Sequence, residues 1–294
     1  MKEKFSLGLI QSSYTHSIEE NIQKNIKNIK EAKKRGAELI CLSELHNTIY
    51  FCQKEDVNFF EFAETIPGKS TELYLKVAKS LKVHLLISLF EKRDRGIYHN
   101  TALLIDENGN IAGKYRKMHI PDDPGFYEKF YFTPGDTGFT PVETSLGRIG
   151  ILVCWDQWFC EPARILALKG AEIIVYPTAI GWDPADSDEE KNRQLDSWIT
   201  VQRGHAIENG IFIAAINRVG NEKITASERG IDFWGNSFVC GPQGEIIAKA
   251  SDSKEEIIVA EIDKSRIENV RRIWPFFRDR RIDAFEEILK RYML

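Results

Sequence analysis

The segment that most constrains this chain runs Arg148-Ile149-Gly150-Ile151-Leu152-Val153-Cys154-Trp155-Asp156-Gln157-Trp158-Phe159-Cys160-Glu161-Pro162. It opens with an apolar run of strand length. It closes with Glu161-Pro162 and then Ala-Arg-Ile-Leu-Ala-Leu-Lys, which reads as a helix with proline in its first turn. Cys154 therefore stands at the carboxyl end of a buried strand, just ahead of a helix. In α/β sheets ligands bind at that edge. A helix amino terminus favours thiolate over thiol. An unperturbed thiol, with a pKa of roughly 8.5, is only a few per cent ionised at neutral pH, so a partner base is also expected.

Two further apolar stretches end the same way. Glu38-Leu39-Ile40-Cys41-Leu42-Ser43-Glu44 ends in a carboxylate, and Ile111-Ala112-Gly113-Lys114-Tyr115-Arg116-Lys117 ends in an amine. Taken singly, a strand-end Glu or Lys is ordinary solvated surface and a strand-end Cys is ordinary core filler. Taken together, Glu44, Lys117 and Cys154 supply a base, a fixed cation and a nucleophile.

The rest of the chain alternates helical and strand patterns. Ile18, Ile22, Ile26 and Ile29 recur at helical spacing after Ser17, and Gly36 closes that helix. Helices are expected near 71–81 and 197–208. Strands are expected at 84–90, 172–176, 211–217 and 257–262, with hairpins turning at 106–110 and 241–244. This pattern gives an α/β chain with two mixed sheets packed together and helices outside. The 294 residues, 43% hydrophobic, suffice for one large core.

Several function classes are disfavoured. A net charge of -4 provides no basic face for nucleic acid. The longest apolar runs are strand-sized, and the amino terminus is too short an apolar stretch for a signal peptide. Five cysteines at irregular spacing fit a reduced, cytoplasmic compartment rather than a disulfide framework. No Cys/His group has zinc-ligand spacing, and no phosphate-binding glycine motif follows a strand. Neither a metal nor a cofactor is expected.

The motifs resemble the nitrilase superfamily of carbon–nitrogen hydrolases, over nearly the whole chain. The resemblance narrows to the N-carbamoylputrescine amidase branch through Tyr115-Arg116-Lys117-Met118-His119-Ile120-Pro121-Asp122, the stretch from Phe130 to Phe139, the hexad Cys154-Trp155-Asp156-Gln157-Trp158-Phe159, and Trp274-Pro275-Phe276-Phe277-Arg278-Asp279-Arg280-Arg281. Two departures are Cys160, where proline is usual, and Gly181-Trp182-Asp183-Pro184-Ala185-Asp186. The resemblance implies a four-layer αββα sandwich spanning 1–294 as one domain. It implies Glu44, Lys117 and Cys154 as catalytic triad and Glu128 as a second active-site glutamate. It also implies a homo-oligomer built on a dimer, with contacts expected in residues 264–294.

The implied reaction hydrolyses a carbamoyl C–N bond through a Cys154 thioester, converting N-carbamoylputrescine to putrescine, carbon dioxide and ammonia. Lys117 and the backbone N–H of Trp155 would hold the oxyanion. The acids Asp122, Asp123, Asp156, Asp183 and Asp186 lie near the motifs, and one or two are expected to bind a cationic substrate tail. Asp122 and Asp183 are the choice, since they flank the Lys117 motif and the variable segment. The run Asp186-Ser187-Asp188-Glu189-Glu190 reads as a solvated loop, and His119 as a hydrogen-bonding structural residue. Hydrolysis of an N-carbamoyl amino acid or an aliphatic amide is the alternative. A catalytically silent binding protein on this fold is disfavoured by the intact triad.

Overall fold

The computed structural model describes residues 2–293. Two six-stranded sheets carry the architecture. The first orders its strands Glu256–Asp263, Lys4–Gln11, Leu39–Leu42, His84–Asp94, Ile97–Ile105 and Ile111–Arg116. The second orders Ile246–Lys249, Phe238–Cys240, Phe212–Ile216, Ile173–Pro177, Arg148–Ile151 and Val142–Glu143.

Strand periodicity explains the layering. In the first sheet Leu7, Leu9, Leu39, Cys41, Leu86 and Leu104 meet Ile149, Val175, Phe212 and Phe238 of the second sheet in one core. Their sequence neighbours Ile10, Ile40, Leu42, Leu85, Ile87 and Leu103 point the opposite way. There they pack on Ile29 and Ala32 of the helix Ile18–Lys34 and on Tyr74 and Val77 of the helix Lys69–Leu81. Successive strand residues alternate faces, so a sheet buried on both sides reads as a continuous apolar run. The far side of the second sheet is covered by the helices Cys160–Leu168 and Asp188–Asn209, through residues such as Leu166, Trp198 and Ala206. Helix, sheet, sheet and helix form the four-layer sandwich that the motifs imply.

The elements depart from the sequence reading in three places. A turn of 3₁₀ helix, Cys154–Trp158, intervenes between the Arg148–Ile151 strand and the helix that begins at Cys160. The run 186–190 is not a loop: Ser187 caps Glu190 N–H, and Asp188, Glu189 and Glu190 form the first turn of the long helix. Acidic side chains are stabilised there by the helix dipole, which is why so charged a run is helical. A three-stranded sheet of Val219–Glu222, Ile231–Trp234 and Gly181–Trp182 was not expected. Its strands are too short to show a period.

Candidate active site

The three expected strand ends converge. Glu44 follows the Leu39–Leu42 strand, Lys117 follows Ile111–Arg116, and Cys154 follows Arg148–Ile151. All three leave the carboxyl ends of their strands, where open α/β sheets place ligands. Glu44 and Lys117 come from the first sheet and Cys154 from the second, so the site straddles the interface between sheets.

Lys117 lies at the centre. Its Nζ donates to Glu44 Oε1 at 2.8 Å and to Glu128 Oε2 at 2.6 Å, and all three side chains are fully buried. Glu128 sits in the short turn Glu128–Phe130 and accepts the Tyr50 hydroxyl on its other oxygen at 2.8 Å. Asn100 Nδ2 donates to Glu44 Oε1 at 2.6 Å. Glu44 Oε2 is buried with no partner. The protein's donors are all spent on Oε1, which leaves Oε2 as the oxygen through which Glu44 can receive a proton.

Charge follows geometry. Burial on its own would lower the Lys117 pKa, but Glu128 and Glu44 overrule it and hold the ammonium well above the ordinary lysine range. Burial pushes Glu128 up, to about 7, against the pull of Lys117. Burial, then the Glu44 charge, pushes the Cys154 thiol well above the ordinary range, with Lys117 opposing. The thiol is therefore protonated at rest, donating towards Ala179 O at 3.8 Å. This corrects the expectation of a thiolate favoured by a helix end. The helix begins six residues on, at Cys160, and the thiol sits instead in a buried site beside carboxylates. Its proton must be taken as the nucleophile attacks.

The backbone at Cys154 has φ of 43°, in the left-handed region that a side chain with a Cβ adopts only under local constraint. Such a turn projects the residue off the strand end into the cleft. The Glu44 loop is fixed from the opposite sheet. Arg218, fully buried, donates through Nη2 to Glu44 O and Leu45 O, each at 2.9 Å, and through Nη1 to Glu222 Oε2 at 2.7 Å. Glu44 N–H reaches Thr178 O at 3.3 Å, next to the Ala179 carbonyl that faces the thiol.

Cys154 opens into a cleft of about 440 Å³ lined by Trp155, Trp158, Phe126 and Trp234 and by the acids Asp123, Asp183, Asp186 and Glu190. Of the two acids chosen from sequence, Asp183 lines this cleft. Asp122 does not: it is exposed, facing Lys129 at 4.0 Å. Its neighbour Asp123 takes the cleft position, at the start of a turn closed by Phe126 N–H on Asp123 O at 2.9 Å, and Pro124 and Phe126 line the cleft beside it. Asp123 Oδ1 is buried without a partner, and burial raises its pKa. Asp156 belongs to neither group; it is wholly buried and hydrogen bonded. Arg193 is the one cationic side chain among the lining residues, and its guanidinium is engaged by Glu189 and Glu190 at 2.7–3.0 Å.

Sequence reasoning did not find Tyr50, Asn100 or Arg218. Arg218 carried the same signal as Glu44, a charged residue two positions beyond the apolar strand Phe212–Ile216. Asn100 is a buried amide inside the strand Ile97–Ile105, between His99 and Thr101, where a polar residue does not stand out.

The fold and this constellation define a carbon–nitrogen hydrolase: residues 6–272 match the carbon-nitrogen hydrolase family, and the chain belongs to it. It is 42% identical to an N-carbamoylputrescine amidase of Oryza sativa subsp. japonica over 97% of this chain and 95% of that one. It is 39% identical to a citrullinase of Francisella tularensis, covering 97% and 98% of the two chains. A crystal structure of a carbon-nitrogen hydrolase from Helicobacter pylori G27 superposes with a TM-score of 0.96 at 52% identity, covering 99% of this chain and all of that one.

Proposed function

We propose that the protein hydrolyses the carbamoyl C–N bond of N-carbamoylputrescine, with Cys154 as nucleophile and Glu44, Lys117 and Glu128 as the groups that move and hold charge. The Cys154 proton passes to Glu44 as sulfur adds to the ureido carbon. The oxyanion is held by the Lys117 ammonium and the Trp155 N–H; losing one such donor costs about 10²–10³ in rate. Collapse breaks the bond to the terminal nitrogen, which leaves as ammonia with the proton from Glu44. Water, deprotonated by Glu44, then adds to the thioester carbon. Cys154 is released as thiol, and the N-carboxylated amine loses carbon dioxide to give putrescine. Glu128 holds Lys117 in place. No metal or cofactor takes part.

The observation that carries the substrate assignment is the acid-rich lining of the cleft. Asp183 offers negative charge to a protonated amine, Asp123 offers an acceptor in its unpartnered Oδ1, and Arg193 is already engaged by glutamates. At about 4 Å and an effective dielectric near 20, one such pairing is worth roughly 4 kcal/mol before desolvation. N-carbamoylputrescine should exceed N-carbamoyl-β-alanine in kcat/KM by about tenfold for each 1.4 kcal/mol retained, tens-fold or more in all. Asp183→Asn and Asp123→Asn should raise KM more than they lower kcat, since the tail is remote from the reacting carbon. A substrate panel scored by ammonia release checks this. Arg193 favours one second reading: turned from its glutamates, it would receive the carboxylate of a ureido amino acid such as citrulline. Faster turnover of citrulline in the same panel would move the assignment there and leave the Cys154 mechanism standing.

The assembly reading is a single domain over 1–294 that works as a homo-oligomer built on a dimer in the cytoplasm. What supports self-association is the carboxyl-terminal stretch, where Ile273 is 76% exposed, Ile288 62% and Leu289 90%. So much uncovered apolar surface marks an interaction face. Light scattering should give a multiple of 33.8 kDa; the monomer mass itself would refute it.

A further inference from the structure

We propose that Asp156 is a positioning residue that sets the placement of the Lys117 ammonium against the Cys154 sulfur. The inference rests on the reading of those two groups as oxyanion cation and nucleophile. Asp156 lies in the turn Cys154–Trp158, is fully buried, and does not line the cleft. Its carboxylate meets four donor positions. Oδ2 accepts the Val153 N–H at 2.9 Å and the Tyr115 hydroxyl at 2.8 Å. Oδ1 accepts the His119 N–H at 3.1 Å and lies 2.7 Å from His119 Nδ1.

These partners fall on two sides of one divide. Val153 immediately precedes Cys154 on the second sheet. Tyr115 and His119 lie two residues before and two residues after Lys117, at the end of the outermost strand of the first sheet. One carboxylate thus ties the peptide that carries the nucleophile to both flanks of the residue that carries the cation. The His119 ring is further fixed by stacking on Phe159, 3.9 Å between centroids at 12°. Lys117 has its own backbone held by Asn100 O at 2.9 Å and by the Gly135 N–H at 2.8 Å. A Cβ on Gly135 would collide with Arg116 O, so that contact requires glycine. Within the Lys117 segment, Asp156 is the link that reaches the opposite sheet. An ionised carboxylate accepts at both oxygens and donates at neither, which is what two backbone N–H groups and a hydroxyl need. Asparagine has the same shape but would turn an NH₂ towards donors.

The test compares Asp156→Asn, Tyr115→Phe, their double variant and Cys154→Ala with the best substrate of the panel above. The measured quantities are kcat, KM, product inhibition by the amine and the thermal midpoint. Asp156→Asn is expected to lower kcat by about 10²-fold, the cost of misplacing a catalytic group by an ångström, with KM and product inhibition unchanged. Tyr115→Phe should lower kcat several-fold and add little in the double variant, because both act through one carboxylate. Wild-type kcat per folded molecule in Asp156→Asn, with only the midpoint lowered, overturns the proposal. If Asp156→Asn does not fold, Tyr115→Phe decides: reduced kcat at unchanged KM supports the role, and unchanged kcat overturns it. Turnover surviving in Cys154→Ala would sink the nucleophile reading itself. An inactive Cys154→Ala beside a fully active Asp156→Asn sinks only this inference.

Discussion

Replacing Cys154 with alanine is expected to lower ammonia release by about four orders of magnitude or more while leaving the thermal midpoint close to that of the wild type. The size of the loss follows from removing the atom that forms the covalent intermediate. The small effect on stability follows from the site. The thiol is buried, carries its proton at rest, and makes one weak hydrogen bond, 3.8 Å to Ala179 O. Alanine removes that contact and a single sulfur, and the left-handed φ of 43° is no harder for alanine than for cysteine. Cys154→Ser should be nearly as inactive, because Glu44 is a poor base for a hydroxyl. The pH behaviour carries a sign. Burial and Glu44 raise the thiol pKa, so alkylation of the free enzyme should quicken steadily as pH rises above neutrality. An alkylation rate already at its plateau at pH 7 would mean a resting thiolate, and a Cys154→Ala enzyme that still turns over would end the covalent mechanism.

The triad was legible because each member ends an apolar run, and that pattern survives without any knowledge of register. The four layers were not legible from periodicity. A sheet buried on both faces, such as the one holding Leu39-Ile40-Cys41-Leu42, reads as a plain apolar run and does not say what covers either face. The family motifs supplied that step. Asp122 and Asp123 are alike in composition, and only the turn from Asp123 to Phe126, which no sequence period marks, puts Asp123 and not Asp122 in the cleft. The segment 186–190 misled because charge density suggests a loop, whereas Ser187 followed by three acids is a helix start. Asp156 stands with the acids near the motifs in sequence because it is two residues from Cys154. Its real partners, Tyr115 and His119, are about forty residues away in sequence.

The second large effect concerns Lys117→Met, which should cost both activity and stability. Lys117 Nζ is the shared partner of two fully buried carboxylates, 2.8 Å from Glu44 and 2.6 Å from Glu128. Removing it takes away the oxyanion cation, a loss of about 10²–10³ in rate on its own. It also strands two acids that now face each other without a counterion. Breaking a buried ion pair from one side costs about 3–5 kcal/mol, since the remaining charge has no partner. The stranded acids can escape that cost by binding protons, and a Glu44 that holds a proton no longer accepts one from Cys154. The rate loss should therefore exceed the figure for one oxyanion donor. The sign of the pH dependence follows. Burial already raises Glu128 to about 7 against the pull of Lys117; in the variant, without that pull, Glu128 titrates higher folded than unfolded, so the fold binds more protons and loses stability as pH rises through the range above the ordinary carboxylate pKa. Adding Glu128→Gln to Lys117→Met removes one of the stranded charges. The double variant should regain part of the lost stability and flatten that pH slope, while its activity stays as low as in Lys117→Met. Thermal midpoints from pH 5 to pH 8, set beside ammonia release, separate the two roles. Recovery of activity together with stability would mean that Lys117 serves the fold alone.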